Sequence, residues 1–143
     1  LITGIFQGFL TGPAAKRFGE WKTAMIGLIC SVLVVLGYGF VGSLMAVVFL
    51  TLLHGPEGFV HPLLTSMLTK RVPEDAQGEL QGGISAVTNL AMLFGTVFFA
   101  WIFGYFWAED RAWRSTDVAF WVAAGFVALS AVMFMRLKGS EKA

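Results

Sequence analysis

Long apolar runs constrain the fold of this chain more than any other feature. A run of about 20 apolar residues crosses the ~30 Å hydrocarbon core of a bilayer as a helix, because lipid offers no partner to backbone polar groups. Of the 143 residues, 57% are hydrophobic and only 13% are charged. Soluble chains carry about twice this charged fraction. The sequence therefore predicts an all-α integral membrane protein.

The apolar runs predict five membrane spans, of which the first is a fragment. The chain opens on Leu1 with neither Met nor a charged segment before a cleavage site, so we expect no signal peptide and interpret the chain as the C-terminal part of a longer protein. The net charge of +1, without a basic stripe, speaks against nucleic acid as a partner. The spans are predicted at residues 1–12 (partial), 23–41, 44–68, 83–107 and 117–135.

The third span carries ionisable side chains where hydrocarbon is expected. An acidic or basic side chain at membrane depth costs roughly 2.5–3.5 kcal/mol, so such residues usually face a bundle interior and move ions or substrate. At about 100° per residue the polar side chains of this span fall within one arc of a helix. This stripe, a predicted substrate and proton pathway, consists of Thr51, His54, Glu57, His61 and Thr65.

The fourth span has a second polar stripe, whereas the remaining spans have none of comparable length. Its members are Gln81, Ser85, Thr88, Asn89, Met92 and Thr96. We assign Ser85, Asn89 and Met92 to the same predicted pathway. The last span offers only Ser130 as an uncharged polar residue. The third and fourth spans are therefore predicted to line a cavity, and the second and last to form a lipid-facing scaffold.

A helix break is predicted near the middle of the third span, at Gly-Pro-Glu-Gly from Gly55 to Gly58. Pro56 cannot donate a hydrogen bond to the carbonyl of Leu52, and the flanking glycines weaken the helix. Broken helices at this depth are typical of substrate or ion sites in secondary transporters. A kink that serves packing alone is the alternative, because Pro and Gly are common in membrane helices.

The spacing of His54, Glu57 and His61 also allows a metal-site interpretation, since residues at i, i+3 and i+7 share a helix face. One helix gives at most three ligands, and no second acidic or histidine-bearing span completes a two-metal cage. We therefore predict neither a metal nor a cofactor. A satisfied structural polar cluster remains the alternative to a proton-carrying or substrate-contacting role.

Positive charge in the connections predicts the orientation, because Lys and Arg accumulate on the cytoplasmic side. The clusters follow or precede alternate spans, so they fall on one side of the membrane. The C-terminus is therefore predicted to be cytoplasmic. The residues of these clusters are Lys16, Arg17, Lys22, Lys70, Arg71, Arg136, Lys138 and Lys142, whereas Arg111 and Arg114 fall on the opposite side beside Glu109 and Asp110.

The connection after the first span carries a recognisable pattern. The stretch G-P-A-A-K-R-F-G-E-W that begins at Gly12 resembles the cytoplasmic loop G-x-x-x-D-R-x-G-R-R of major facilitator transporters, in the degenerate copy of the C-terminal half. Gly12, Arg17 and Gly19 match this pattern. Lys16 replaces the aspartate, and Glu20 replaces an arginine.

A second stretch points to one branch of that superfamily. The sequence Q-G-E-L-Q-G resembles the junction of helices ten and eleven in tetracycline-resistance transporters, and the residues that carry the likeness are Gln77, Gly78, Gln81 and Gly82. The likeness extends over essentially the whole chain. It maps the chain from part of helix eight to the end of helix twelve.

The resemblance implies a twelve-helix fold in two pseudo-symmetric halves, alternating access, and export of a drug in exchange for protons. It implies the bacterial inner membrane as the location. The partners would be the lipid bilayer, the missing N-terminal half, a small-molecule substrate and protons. Two departures speak against tetracycline itself: Gly95-Thr96 stands where the family often has Gly-Pro, and the ionisable residues of the third span replace small or apolar ones.

The sequence is compatible with three functions. The first is a secondary active, proton-coupled exporter of small amphiphilic drugs or metabolites, which is not an enzyme. The second is a non-transporting membrane scaffold or sensor with the same fold, and the third is a membrane metalloenzyme. An intact loop motif and an intramembrane acidic residue in the upstream sequence would support the exporter.

The predicted orientation is testable by cysteine labelling. We expect a Lys70→Cys variant to resist a membrane-impermeant maleimide added to intact spheroplasts, because this position lies in a predicted cytoplasmic loop. Labelling from outside would contradict the orientation.

Overall fold

The computed structural model describes residue 4, residues 6–108, residue 115 and residues 117–140 of the chain, and all regular structure in this part is helical. Within these residues, four segments are long and apolar enough to cross a membrane: Glu20–Tyr38, Leu44–Thr69, Glu74–Trp107 and Asp117–Leu137. The predicted all-α membrane fold is thereby confirmed. In chain order the elements are a π-helical turn (Phe6–Leu10), α1 (Thr11–Phe18), α2 (Glu20–Tyr38), α3 (Leu44–Leu53), a 3₁₀ segment (Gly55–Phe59), α4 (Val60–Thr69), a short 3₁₀ turn (Glu74–Ala76), α5 (Gln77–Trp107) and α6 (Asp117–Ser140).

Several helices extend beyond the apolar runs from which the spans were predicted, although α2 ends at Tyr38, before the predicted end at residue 41. Helix α1 continues through Pro13 to Phe18, so the polar connection expected there is helical. Helix α5 begins at Gln77 rather than at residue 83. The reason is that helical hydrogen bonding continues into polar residues, whereas the predicted spans ended where apolarity ended. Residues 1–3 and 5 of the first span, the connection 109–114 and Lys142 lie outside the described residues.

A single glycine joins α1 to α2. Gly19 has φ 84°, a left-handed conformation that side chains other than glycine rarely adopt, and its N–H donates to the carbonyl of Ala15 at 2.9 Å. The buried Thr23 hydroxyl donates to the carbonyl of Gly19 at 2.9 Å and lies 3.2 Å from that of Ala14. The glycine of the loop motif is thus required by the backbone of a tight turn.

Helix α2 is the centre of the described bundle. It packs against α6, against the 3₁₀ segment with α4, and against α1. Its buried residues are mostly small or medium-sized, namely Thr23, Ala24, Gly27, Ser31 and Val34, together with the larger Met25. Its outer face exposes the large apolar residues Ile26, Ile29, Leu33 and Leu36. The exposed apolar face fits the predicted lipid-facing scaffold, and the inner face adds packing that the sequence pattern did not predict.

Aromatic pairs connect α2 to α6 near both ends. The rings of Trp21 and Phe134 stack with centroids 5.6 Å apart, and those of Tyr38 and Phe120 lie 5.9 Å apart. Residue numbers that rise on one helix fall on the other, so the two helices are antiparallel. The start of α2 and the end of α6 consequently lie at the same end of the bundle.

The third span is broken as the Gly-Pro-Glu-Gly sequence predicts. Helix α3 ends at Leu53, the 3₁₀ segment Gly55–Phe59 follows, and α4 resumes at Val60. Gly27 of α2 lies directly against this break: a Cβ atom there would stand 2.6 Å from the carbonyl oxygen of Pro56 and 2.8 Å from Cγ2 of Val60. The close approach of α2 to the break thus depends on the missing side chain at one position.

Helix α5 is the least enclosed part of the described bundle. Ile102 is its one buried residue among those described, and its main helix neighbour is α6. Its faces are otherwise exposed, including most of its large apolar side chains.

We expect Gly27→Ala to destabilise the full-length protein, because overpacking at a filled contact costs about 1–3 kcal/mol. The melting temperature of the purified protein, followed by tryptophan fluorescence in detergent, should fall. Gly125→Ala on α6 is the matched control, since a Cβ atom there meets open space. A Gly27→Ala variant that melts at or above the temperature of the Gly125→Ala control would contradict the close approach.

Candidate functional site

The helix break brings two ionisable side chains of the polar stripe into contact. The N–H of Glu57 donates to the carbonyl of His54 at 3.1 Å, a bond from residue i+3 to residue i. Side chains three residues apart eclipse one another in a 3₁₀ helix. The imidazole Nε2 of His54 accordingly contacts the carboxylate Oε2 of Glu57. Both side chains remain partly accessible, at 31% and 42%.

Helix α2 adds a phenol to this end of the stripe. The Thr51 hydroxyl donates to the carbonyl of Val47 at 2.8 Å. The hydroxyl of Tyr38 lies 3.2 Å from Oγ1 of Thr51 and therefore acts as the donor to it. The centroid of the Tyr38 ring is 6.4 Å from that of His54. Three members of the predicted stripe thus lie along the seam between α2 and the broken helix.

A pocket of about 360 Å³ lies beside the break, between α2, the broken helix and α6. Its polar groups are the side chains of Ser31, Glu57, His61 and Ser130, and its other walls are apolar. The lining residues are Leu28, Ser31, Glu57, Val60, His61, Leu64, Phe126, Val127 and Ser130. The pocket therefore combines a carboxylate, an imidazole and two hydroxyls from three different helices.

The two serines of this pocket differ in their hydrogen bonds. Ser130 donates to the carbonyl of Phe126 at 2.9 Å. Ser31 is only 3% exposed and shows no such bond within the described residues, but its hydroxyl oxygen is not among the buried polar atoms that lack a hydrogen-bond partner; Nε1 of Trp121 is one of those atoms.

A second polar cluster connects the start of α2 to the end of α4. The Glu20 Oε1 atom accepts a hydrogen bond from Lys70 Nζ at 2.7 Å and another from Ser66 Oγ at 2.8 Å. His61, Thr65 and Lys70 line a neighbouring pocket of about 470 Å³. Glu20 stands where the loop motif usually has arginine, and its partner here is a lysine.

The pathway residues of the fourth span are not brought to the pocket beside the break. Ser85, Asn89 and Met92 are exposed on α5. None of the three lines any pocket shared with Glu57 in the described part of the chain. A cavity that joins both polar stripes therefore stays a prediction.

The residues of the two family motifs lie in α1, at the turn before α2, and at the start of α5. Gly12 and Arg17 are exposed on α1, where the Arg17 guanidinium is 5.5 Å from the centroid of the Phe18 ring. In the first two turns of α5, Gln81 Nε2 lies 3.5 Å from Thr69 Oγ1 and so connects α4 to α5. The other members of this stretch are Gln77, Gly78 and Gly82. A functional role of these residues stays a prediction.

Sequence reasoning did not single out Ser31 or Tyr38 as site residues. Both belong to α2, which lacks a polar stripe. The available signal was the spacing of four residues between Thr23, Gly27 and Ser31, which places small side chains on one face and indicates close helix packing.

The geometry gives no support to the metalloenzyme alternative. Within the described ranges no three His, Cys, Asp or Glu side chains come together as a ligand set. His54 and Glu57 are in contact, but His61 does not complete a site with them.

The described part of the chain contains four helices of membrane length, as expected of a multi-pass membrane protein, and one of them is broken at the contact between Glu57 and His54. The family profile of the Major Facilitator Superfamily matches residues 1–143. The chain therefore belongs to this superfamily of membrane transporters.

Tetracycline-resistance proteins are among the similar proteins. The class C protein of Escherichia coli is 35% identical over 97 residues, which cover 66% of this chain and 24% of that protein. The class G protein of Vibrio anguillarum is 33% identical over 112 residues, which cover 77% of this chain and 27% of that protein. The chain thus spans about a quarter of the length of these relatives. No solved structure matches it at a significant level.

We expect the Glu20 and Lys70 side chains to be energetically coupled. Their side chains are 28% and 65% exposed, so solvent weakens the pair and the coupling should be about 0.2–1 kcal/mol. Glu20→Gln and Lys70→Met should each lower the stability of the full-length protein in urea, and the double variant should cost less than their sum. Strict additivity would show that the contact contributes nothing.

Proposed function

We propose that this chain is the C-terminal portion of a secondary active transporter that exports small amphiphilic molecules in exchange for protons by alternating access. The observation that carries the proposal is the contact between Glu57 and His54 at a helix break in the middle of a membrane span. Membership of the superfamily supports the transporter class. The likeness to resistance proteins supports efflux as the direction.

The chemistry of the contact suits a proton carrier. A carboxylate inside a membrane span is costly when ionised and unpaired, so its charge state depends on its neighbours. A histidine changes its charge near neutral pH and is the partner that couples this carboxylate to the proton gradient. Protonation of either group alters the contact between His54 and Glu57. Because this contact lies in the segment that connects α3 to α4, it also alters how the two helices are joined.

The arrangement of the helix ends supports the predicted orientation. Lys70 at the end of α4 meets Glu20 at the start of α2, and Phe134 near the end of α6 stacks on Trp21 of the same helix end. The cationic connections and the C-terminal helix end therefore lie at one end of the bundle. This end would face the cytoplasm of a bacterial cell.

Proton coupling can be tested with the full-length protein in everted membrane vesicles. Ethidium is a suitable probe because its charge is permanent and a pH gradient alone does not concentrate it, and tetracycline serves as the comparison with the relatives. We expect Glu57→Gln to reduce proton-gradient-driven ethidium uptake into the vesicles to background, since the amide keeps the shape but does not titrate. Exchange of ethidium without a gradient should persist.

Glu74→Gln is the matched control, because this carboxylate lies on the exposed 3₁₀ turn before α5. Its uptake should equal that of the wild type. A wild-type rate in Glu57→Gln would contradict the proposed role of this residue. Absence of gradient-driven flux of either probe in the wild type would favour the scaffold or sensor alternative.

A further inference from the structure

A separate cavity of about 570 Å³ lies between α5 and α6 and shares Phe126 with the pocket beside the break. Its volume is within the range of small-molecule sites. The described residues that line it combine aromatic rings with two small residues and include no polar side chain: Ala91, Phe94, Gly95, Phe98, Phe99 and Phe126. The cavity therefore has the size of a ligand site but no side chain that could neutralise a charge.

The shape of this cavity is that of a slot. Its α5 residues are three or four positions apart, so they share one face of the helix. Ala91 and Gly95 leave room over the helix backbone, and a Cβ atom at Gly95 would meet nothing within 4 Å. Across this space the ring of Phe98 meets that of Phe126 edge to face, with centroids 5.9 Å apart. The aromatic slot thus has small residues along α5 and rings at its sides.

The slot depends on an unbroken α5. The Thr96 hydroxyl donates to the carbonyl of Met92 at 2.7 Å, and the helix continues from Gln77 to Trp107. A proline at position 96, which tetracycline-resistance transporters often have, would lack the N–H that the helix needs there and would clash with the carbonyl of Met92. The regular face of the slot is therefore a departure of this chain from the family pattern.

The surrounding bilayer decides what kind of ligand such a slot selects. Lipid chains are as apolar as the lining, so burial of apolar surface alone does not favour one occupant over another. An aromatic ligand gains more, because each well-oriented contact between two rings favours binding by about 2- to 12-fold. A charged group gains nothing here and would lose its solvation. The lining therefore selects uncharged rings over both chains and ions.

We infer that the aromatic slot binds the planar, uncharged ring system of a fused aromatic molecule. The ring system lies over Gly95 and contacts the rings of Phe98 and Phe126. Phe126 also lines the pocket beside the break, so the two cavities together suit an amphiphilic molecule. The inference goes beyond the proposed function, because a neutral ring needs neither a proton nor a counter-ion to bind.

Equilibrium binding of tritiated phenanthrene to the full-length protein in phosphatidylcholine nanodiscs tests the inference. Phenanthrene is uncharged and partitions into lipid, so empty nanodiscs give the non-saturable background. We expect a saturable component whose Kd is the same at about pH 8 and about pH 5.5, on either side of the titration of histidine. A Kd that changes between these values would overturn the inference. Absence of saturable binding would also overturn it, since lipid or the other helices of the protein would then fill the slot.

Perhydrophenanthrene distinguishes an aromatic site from a merely apolar one, because it keeps the fused rings but has no π electrons. We expect unlabelled phenanthrene to displace the label and perhydrophenanthrene to leave it bound at the same concentration. Equal displacement by the saturated compound would mean that any apolar body fills the slot, a lipid chain included, and would overturn the inference.

Gly95→Leu should abolish saturable binding, because the new side chain fills the slot from α5. Gly104→Leu is the matched control: it lies on the same helix, its Cβ atom also meets open space, and it does not line the slot. This control should bind phenanthrene as the wild type does. Wild-type affinity in Gly95→Leu would overturn the inference.

Two further variants remove a ring while keeping an apolar wall, and they remain informative even if Gly95→Leu fails to fold. Phe98→Leu and Phe126→Leu should each raise the Kd about 2- to 12-fold, as expected for the loss of one contact between rings. Phe103→Leu removes an exposed ring of α5 outside the slot and should leave the Kd unchanged. An unchanged Kd in either Phe98→Leu or Phe126→Leu would overturn the inference.

Binding and transport can fail independently. If phenanthrene binds as expected but the wild type shows no gradient-driven flux, the inference stands and the proposed function fails. If phenanthrene shows no saturable binding while Glu57→Gln still loses gradient-driven ethidium uptake, the inference fails and the proposed function stands.

Discussion

The contact between Gly27 and the break of the third span is the constraint on which the described structure depends. Pro56 has no N–H group with which to continue the helical hydrogen bonding. The 3₁₀ segment that contains it therefore needs a neighbouring helix that packs closely against its backbone. Gly27 provides that support, because any side chain at this position would collide with the carbonyl of Pro56. The small residues on the inner face of α2 extend the close approach along the helix. The break is therefore held by packing between helices as well as by the hydrogen bonds of its 3₁₀ segment.

Chemical function follows from where this packing places the polar groups. The break aligns His54 with Glu57, and α2 brings Ser31 and Tyr38 to the same seam. Helix α6 closes the other side of the pocket. Polar groups that would be costly in lipid thus face one another between helices, which is the usual arrangement for ion and substrate paths in membranes. The same close packing therefore organises both the fold and the candidate site.

The chain has the backbone features of the family motif but differs from the family at several charged positions. The loop-motif glycine at position 19 has a structural reason in its positive φ, which is independent of the substrate. In contrast, Glu20 replaces an arginine of the motif and pairs with Lys70 across the bundle end. The ionisable residues of the third span likewise depart from the small or apolar ones that the resemblance implies. These differences concentrate on the seam between α2 and the broken helix, which is where a changed specificity would be expected.

Local sequence by itself determined the membrane class, the helix break and the family. Apolar runs report directly on lipid burial, and Pro56 lacks an N–H group whatever surrounds it. Contacts between distant residues were decided only by the tertiary structure. Glu20 contacts Ser66 and Lys70 from 46 and 50 positions away, and Ser31 lines the same pocket as Glu57 only because α2 packs on the break. The inner face of α2 was missed because Thr23 and Ser31 are too few to form a polar stripe and its other residues are apolar. The stripe on α5 was predictable as a pattern, but a pattern on one helix does not specify which helix will face it.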